Sequence, residues 1–293
     1  MIKFKKRRFF QFAFFLIQNP FLKNFLNGSI YQGSLKKFCT PGLNCYSCPA
    51  AIASCPIGAA QFFIAGYRQF ISMFVIGFLV MIGAIFGRYI CGYLCPFGLL
   101  QDLLYKIKSF KIKTPLRFLR YIKYIILALF VVILPYYIRH ELSGMGDPWF
   151  CKYICPSGMV FGAFPLLVTN EFLRELIGMQ FYIKTTIAIG VLLTSVFIFR
   201  FFCRVLCPLG AFYSFFNPIA FLKMNCDKTK CTNCGSCAAA CNVQINPSTT
   251  PNSPECIRCG DCASVCKTQA ISKLRYFNSN SREEKAPDTT SST

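Results

Sequence analysis

The sequence predicts a membrane α-helical protein: about four transmembrane helices followed by a small C-terminal α+β domain. Three observations carry that fold class. Of 293 residues, 54% are hydrophobic and only 15% charged, where ordinary soluble domains run near a quarter charged. The apolar residues come in blocks, each flanked by Lys and Arg. The 19 cysteines recur at a few short spacings, nine of them after residue 225.

The spans are expected at roughly 9–27, 69–87, 121–138 and 181–199. The start "MIKFKKRRFF" has a basic end without a small-residue cleavage site, and reads as an uncleaved anchor. Its apolar continuation is interrupted by Gln18, Asn19 and Pro20. The run between Arg68 and Arg88 carries no charge and is long enough for a hydrocarbon core of roughly 30 Å. The runs "YIILALFVVILPYYI" and "TTIAIGVLLTSVFIF" span once Lys123 and Lys184 snorkel from inside longer helices. The stretch 153–170 is uncharged, but Pro156, Gly158, Gly162 and Pro165 interrupt it, so a re-entrant or interfacial segment is expected there.

Basic residues orient the chain. Lys3, Lys5, Lys6, Arg7 and Arg8 place the N-terminus inside, and Arg200, Arg204 and Lys223 return the C-terminal region to the same side. The expected location is therefore the cytoplasmic (inner) membrane, multi-pass, with the C-terminal domain facing the cytoplasm. The net charge of +21 is spent on orientation and on anionic lipid rather than on nucleic acid. The expected domains are 1–222, the membrane part; 223–275, the small domain; and 276–293, a disordered Ser/Thr-rich tail.

Residues 231–241, "CTNCGSCAAAC", and 256–266, "CIRCGDCASVC", both read C-x2-C-x2-C-x3-C. This is the two-[4Fe–4S] pattern of bacterial ferredoxins, in which the fourth Cys of each run serves the other cluster. Cys231, Cys234, Cys237 and Cys266 are thus expected to hold one cluster, and Cys256, Cys259, Cys262 and Cys241 the other. Asn242 and Lys267 stand where proline usually follows the fourth Cys, which touches the turn and not the ligand set. Zinc also uses C-x2-C pairs, but two matched quartets favour clusters. Cys226 belongs to neither run.

The tetrapeptide C-P-x-G occurs at Cys55, Cys95, Cys155 and Cys207, and three of these have a Cys four residues earlier: Cys91/Cys95, Cys151/Cys155 and Cys203/Cys207. On a helix i and i+4 share a face, and the proline suits the first turn of a new helix. Each pair makes half a site. Cys91, Cys95, Cys203 and Cys207 fall on one side of the expected topology, as ligands of a further cluster or as a redox-active thiol group. Cys39, Cys45, Cys48, Cys55, Cys151 and Cys155 fall on the other, as one cluster with two spare thiols or as up to three disulfides. The cofactor count is then two [4Fe–4S] clusters, with room for one or two more.

With "PGLNCYSCPAA", "GRYICGYLCPFGLLQD" and "FCRVLCPLGAFY" in place beside the doubled C-terminal run, the chain resembles the NapH/NosR/CcoG-like polyferredoxin family of membrane 4Fe–4S binding proteins, in its clostridial-type branch. The resemblance implies a membrane-bound iron–sulfur protein that relays electrons between a cytoplasmic carrier of ferredoxin or flavodoxin type and a membrane donor or acceptor, quinone among them, with further membrane redox subunits as partners. It implies an electron-transfer component of an oxidoreductase system rather than a stand-alone enzyme. A maturation or metal-reducing assembly factor using the membrane thiols is the alternative. His140 is the single histidine, and with Glu141, Asp147 and Trp149 it reads as a solvated loop.

Overall fold

Four helices of this chain start at a Cys-Pro step, and those four starts organise the rest. The computed structural model describes residues 2–66, 69–112, 116, 118–138 and 146–275. His140, Glu141 and the expected tail 276–293 lie outside the described residues. The principal helices are α1 (Ile2–Gln18), α2 (Pro56–Ala65), α3 (Gln69–Phe86), α4 (Pro96–Leu104), α5 (Leu119–Tyr137), α6 (Pro156–Thr169), α7 (Met179–Phe197) and α8 (Pro208–Phe216). One antiparallel pair, β1 (Lys223–Cys226) with β2 (Ile271–Arg275), is the sheet found among the described residues, with Cys226 opposite Ile271 and an irregularity between Lys223 and Asn225.

At α2, α4, α6 and α8 the proline is the first helical residue, where its fixed φ fits and its missing N–H costs nothing. The preceding Cys55, Cys95, Cys155 or Cys207 takes the N-cap position with extended backbone. The glycine of C-P-x-G then turns its backbone N–H onto the sulfur three residues back: Gly210 reaches Cys207 Sγ at 3.4 Å. Gly58, Gly98 and Gly158 do the same for Cys55, Cys95 and Cys155.

The four-span arrangement is not what the described residues form. Among the described residues two helices are long and apolar enough to cross a membrane, α5 and α7, with mean hydropathies of 1.8 and 1.4. Only 22% and 17% of these windows are buried inside the protein, and residues such as Ile125, Val132, Ile189 and Leu193 point outward. The expected span at 9–27 fails because α1 ends at Gln18. Pro20 biases Asn19 away from helical backbone. In α3 the described apolar stretch is Met73–Phe86, and α6 is likewise of the shorter class. At about 1.5 Å per residue the latter reaches roughly 20 Å, short of a hydrocarbon core.

The expected C-terminal α+β domain is corrected too. The strands have 4 and 5 residues and the helices Ser236–Ala239 and Asp261–Val265 also have 4 and 5. A two-stranded sheet of that size cannot carry a core unaided. Its own buried cluster is Met224, Cys256, Cys262 and Ile271, half of it thiols. Val243 and Ile257 instead join the main core with Phe97, Phe150, Phe202 and Tyr213.

That attachment needs Gly92. A Cβ there would stand 2.5 Å from the Ile257 carbonyl oxygen, a backbone atom that cannot step aside. Gly92→Ala is expected to lift the 253–259 segment from the helices, at about 1–3 kcal/mol of overpacking. Faster amide exchange confined to that segment is the readout.

Candidate metal centres

Two cavities open in the C-terminal region. One is lined by Cys241, Cys256, Cys259 and Cys262 with Met224 and Ile257; the other by Cys231, Cys234, Cys237 and Cys266 with Asn233 and Ser248. In each, three thiols of one run meet the fourth of the other. The two loops share one backbone shape. Left-handed φ recurs at Asn233 and Arg258, at Gly235 and Gly260, and at Gln244 and Gln269. Such turns direct successive N–H groups inward, where they favour an anionic guest.

The two cavities differ electrostatically. In the outer one, hydrogen bonds from Ser236 lower the pKa of Cys234, and the Ile271 N–H lowers that of Cys266. In the inner one, burial raises Cys256, Cys259 and Cys262, the last to about 12. A metal entering the inner cavity must therefore displace protons. Cys226, on β1, lies against Cys231, Cys237 and Cys266. Among the described residues no three His, Cys, Asp or Glu side chains close on a single metal ion. Tetrahedral zinc would draw its sulfurs to about 2.3 Å from one centre; these thiols line cavities, which fits a multi-iron group better.

Cys91, Cys95, Cys203 and Cys207 are all buried, between 4% and 7% exposed, and lie within electrostatic reach of one another. The two halves brace each other through backbone carbonyls. Arg88 donates to the Cys203 carbonyl at 3.1 Å, and Arg200 donates to the Cys91 carbonyl at 2.5 Å. Each arginine sits three residues before the first Cys of its own half and carries a carboxylate. Asp102 accepts a fork from Arg200 at 2.7 and 2.6 Å, and also Arg7 and Gln11, each at 3.2 Å. Burial alone would raise the Asp102 carboxyl; the Arg200 and Arg7 charges override it and hold it below the usual range. Arg200 holds left-handed backbone at φ 49, an uncommon conformation for a non-glycine residue.

Gln101 was not among the expected site residues. Its amide donates to Cys203 Sγ at 3.0 Å and its oxygen accepts the Phe202 N–H at 3.2 Å. Gln61 repeats this: its amide reaches Cys151 Sγ at 3.5 Å and its oxygen accepts the Phe150 N–H at 3.0 Å. The signal was present, since C-P-x-G-x-x-Q occurs at both 55–61 and 95–101.

Of the remaining six thiols, the structure gathers Cys45, Cys55, Cys151 and Cys155. Cys48 donates to Asn19 Oδ1 at 3.6 Å. Cys39 stands in a bridge with Ser54, and burial raises its thiol to about 11. No disulfide joins any of the 19 cysteines.

The C-terminal segment is clamped over the Cys91/Cys203 halves. Glu255 accepts from Arg88 at 2.9 Å and from Lys123 at 2.5 Å. Burial would raise its carboxyl, but the Arg88 and Lys123 charges bring it down to about 2. Asn217 donates to the Ser253 and Cys256 carbonyls at 2.6 and 3.0 Å, and Tyr93 to the Cys259 carbonyl at 3.2 Å. Cys241 and Cys259 thus pack against the core that holds Cys91, Cys95, Cys203 and Cys207.

Residues 67–115, 142–168 and 185–224 match the family described as 4Fe-4S binding domain, and those segments hold all three C-x3-C-P pairs. The class that this match points to is that of 4Fe–4S binding proteins. Within it, the chain belongs to the family of the protein named "Uncharacterized protein MJ0750" of Methanocaldococcus jannaschii, 33% identical over 202 residues, 65% of this chain and 74% of that one. It is similar to "Uncharacterized protein MJ0749" of the same organism, 29% identical over 64% of this chain and 65% of the relative. A third relative is "Putative electron transport protein YccM" of Escherichia coli (strain K12), 27% identical over 59% of this chain and 46% of the relative. The chain thus spans about half of that last relative's length. No solved structure matches the chain.

Proposed function

We propose that the protein relays single electrons between a soluble carrier and a donor or acceptor in a membrane, through [4Fe–4S] clusters. Cys231, Cys234, Cys237 and Cys266 would hold the outermost; Cys241, Cys256, Cys259 and Cys262 the next; and Cys91, Cys95, Cys203 and Cys207 a third. A bound cluster supplies one-electron chemistry at a potential set by its hydrogen bonds and burial.

The observation that carries this reading is the clamp at 253–259. The Glu255–Arg88 pair ties the residue before Cys256 to the arginine that braces Cys203. The protein's own groups then act in three ways. The buried arginines offset anionic sites, Gln101 donates to a ligand sulfur, and the apolar side chains Phe97, Phe202 and Tyr213 keep water from the path. The exposed Cys234, in a set whose sequence runs are flanked by the exposed Lys228, Lys230 and Lys267, suits an acidic ferredoxin- or flavodoxin-like partner. The outward apolar faces of α5 and α7 favour lipid around them. Basic segments favour the cytoplasmic side for the C-terminal region.

The test is iron and acid-labile sulfide per chain on anaerobically purified full-length protein, with EPR of the reduced sample. At least about twelve irons are expected, about four of them lost in Cys203→Ser. About eight irons, unchanged by Cys203→Ser, would overturn the relay through the helical part and leave its thiols to metal handling. Cys241→Ser and Cys266→Ser should each remove one ferredoxin-type signal, and a different one.

A further inference from the structure

We propose that Cys45, Cys55, Cys151 and Cys155 form another four-thiolate [4Fe–4S] site, assembled by the same device as Cys91, Cys95, Cys203 and Cys207. The inference rests on the cluster-relay reading and extends it to a site that the doubled C-terminal motif does not involve.

The device has two parts, and each occurs twice. The sequence C-P-x-G-x-x-Q begins α2 at Cys55 and α4 at Cys95, and F-C-x3-C-P-x-G leads into α6 at Cys155 and α8 at Cys207. In each copy the glutamine of the first part holds the second. Gln61 and Gln101 are both fully buried. Each bonds its own i−4 carbonyl at 3.4 Å, the N–H of the Phe before the facing cysteine, and that cysteine's sulfur. A cross-chain hydrogen bond to one particular sulfur, repeated with its whole setting, is the construction of a tuned ligand rather than of a core cysteine.

The copies differ in the fourth thiol. Cys91 comes from the helical turn before Cys95, whereas Cys45 comes from a loop ten residues before Cys55. Its position is fixed from the other side: Cys45 Sγ lies 3.7 Å from where a Cβ on Gly158 would stand, and 3.6 Å from one on Gly162. Cys151 Sγ lies 3.7 Å from the corresponding point on Gly58. Each thiol therefore sits over the start of a helix led by another cysteine of the set. Cys48 lies near Cys45 but turns its sulfur to Asn19, and no other thiol acts on Cys39 among the described residues.

Two further observations point to an anionic guest. Lys184 brings its ammonium to 3.3 Å from the Gly158 Cβ position, and its charge acts on Cys45, Cys151 and Cys155. A cation on an otherwise apolar helix is costly unless something negative faces it. Ser157, inside the C-P-S-G turn, is 1% exposed, and its hydroxyl has no hydrogen-bond partner among the described residues.

Iron per chain and EPR on the full-length protein decide the matter. Cys45→Ser and Cys155→Ser are each expected to lose about four irons, with the signals of the 231–266 region intact as a control for folding. Cys39→Ser and Cys48→Ser should lose none. Unchanged iron in Cys45→Ser, or an equal loss in Cys48→Ser, overturns the site. So does a mass shift showing Cys45, Cys55, Cys151 or Cys155 as disulfides. Should Cys45→Ser lose the control signals as well, Gln61→Leu decides: a shifted midpoint potential of one signal at constant iron supports the site, and unshifted potentials sink it. The Cys203→Ser experiment is separate, because it can fail with this site standing.

Discussion

Replacing Asp102 by Ala is expected to destabilise the protein by about 3–5 kcal/mol, because it takes the carboxylate from buried Arg200 and leaves Arg7 to its longer pair with Asp261 at 3.8 Å. Arg200 is 1% exposed and Arg7 3%, and both ion pairs converge on Asp102. Arg200 is also the brace on the Cys91 carbonyl, so iron should leave the Cys91/Cys203 set at a lower temperature than it leaves the C-terminal cavities. The physical content lies in the double variant. Asp102→Leu with Arg200→Met removes both charges together and should cost less than the sum of the single changes. Additive effects would mean that the pair does not act as a unit. Unfolding that releases bound clusters is often irreversible, so the comparison belongs on half-lives at one temperature.

The second large effect is expected at Glu255. Glu255→Ala leaves Arg88 and Lys123, both 0% exposed, without their shared carboxylate. A loss of about 3–5 kcal/mol is again the scale, but here it falls on the junction between the C-terminal segment and the helices. Amide exchange should rise across 253–259 while β1 and β2 keep their protection. Cluster signals from the 231–266 region should persist, whereas electron transfer between them and the Cys91/Cys203 set should slow. A variant with normal transfer and normal exchange would remove the clamp from the proposed route.

Legibility of these features in the sequence followed their range along the chain. The doubled C-x2-C-x2-C-x3-C spacing is local, and the structure gathers its eight thiols in two cavities. Cys91 with Cys95, and Cys203 with Cys207, were visible as pairs because a helix turn and a proline print themselves in four residues. Cys45 left no such mark, since its partnership with Cys155 is made by a loop whose path no local rule specifies. The spans were over-counted because hydropathy adds up along a run without registering where Asn19-Pro20 ends the helix. The sequence leads to a C-terminal α+β domain because nothing in "PECIRCG" announces that Ile257 is buried against Gly92.

The reciprocal brace, in which Arg88 holds the Cys203 backbone and Arg200 the Cys91 backbone, has a consequence for biosynthesis. Neither half is complete until the other has been made. Cys95 and Cys203 are separated by about 100 residues, which a ribosome extends in roughly 5–20 s. Over that interval the first pair of thiols leaves the exit tunnel without its mates, and Glu255 follows later still. On the proposed cluster reading, iron loading of this set waits at least on Cys207, and a truncated product ending before residue 200 would carry Cys91 and Cys95 as bare thiols. Ribosome-stalled chains of increasing length should show iron uptake here as a step beyond Cys207 rather than as a gradual rise.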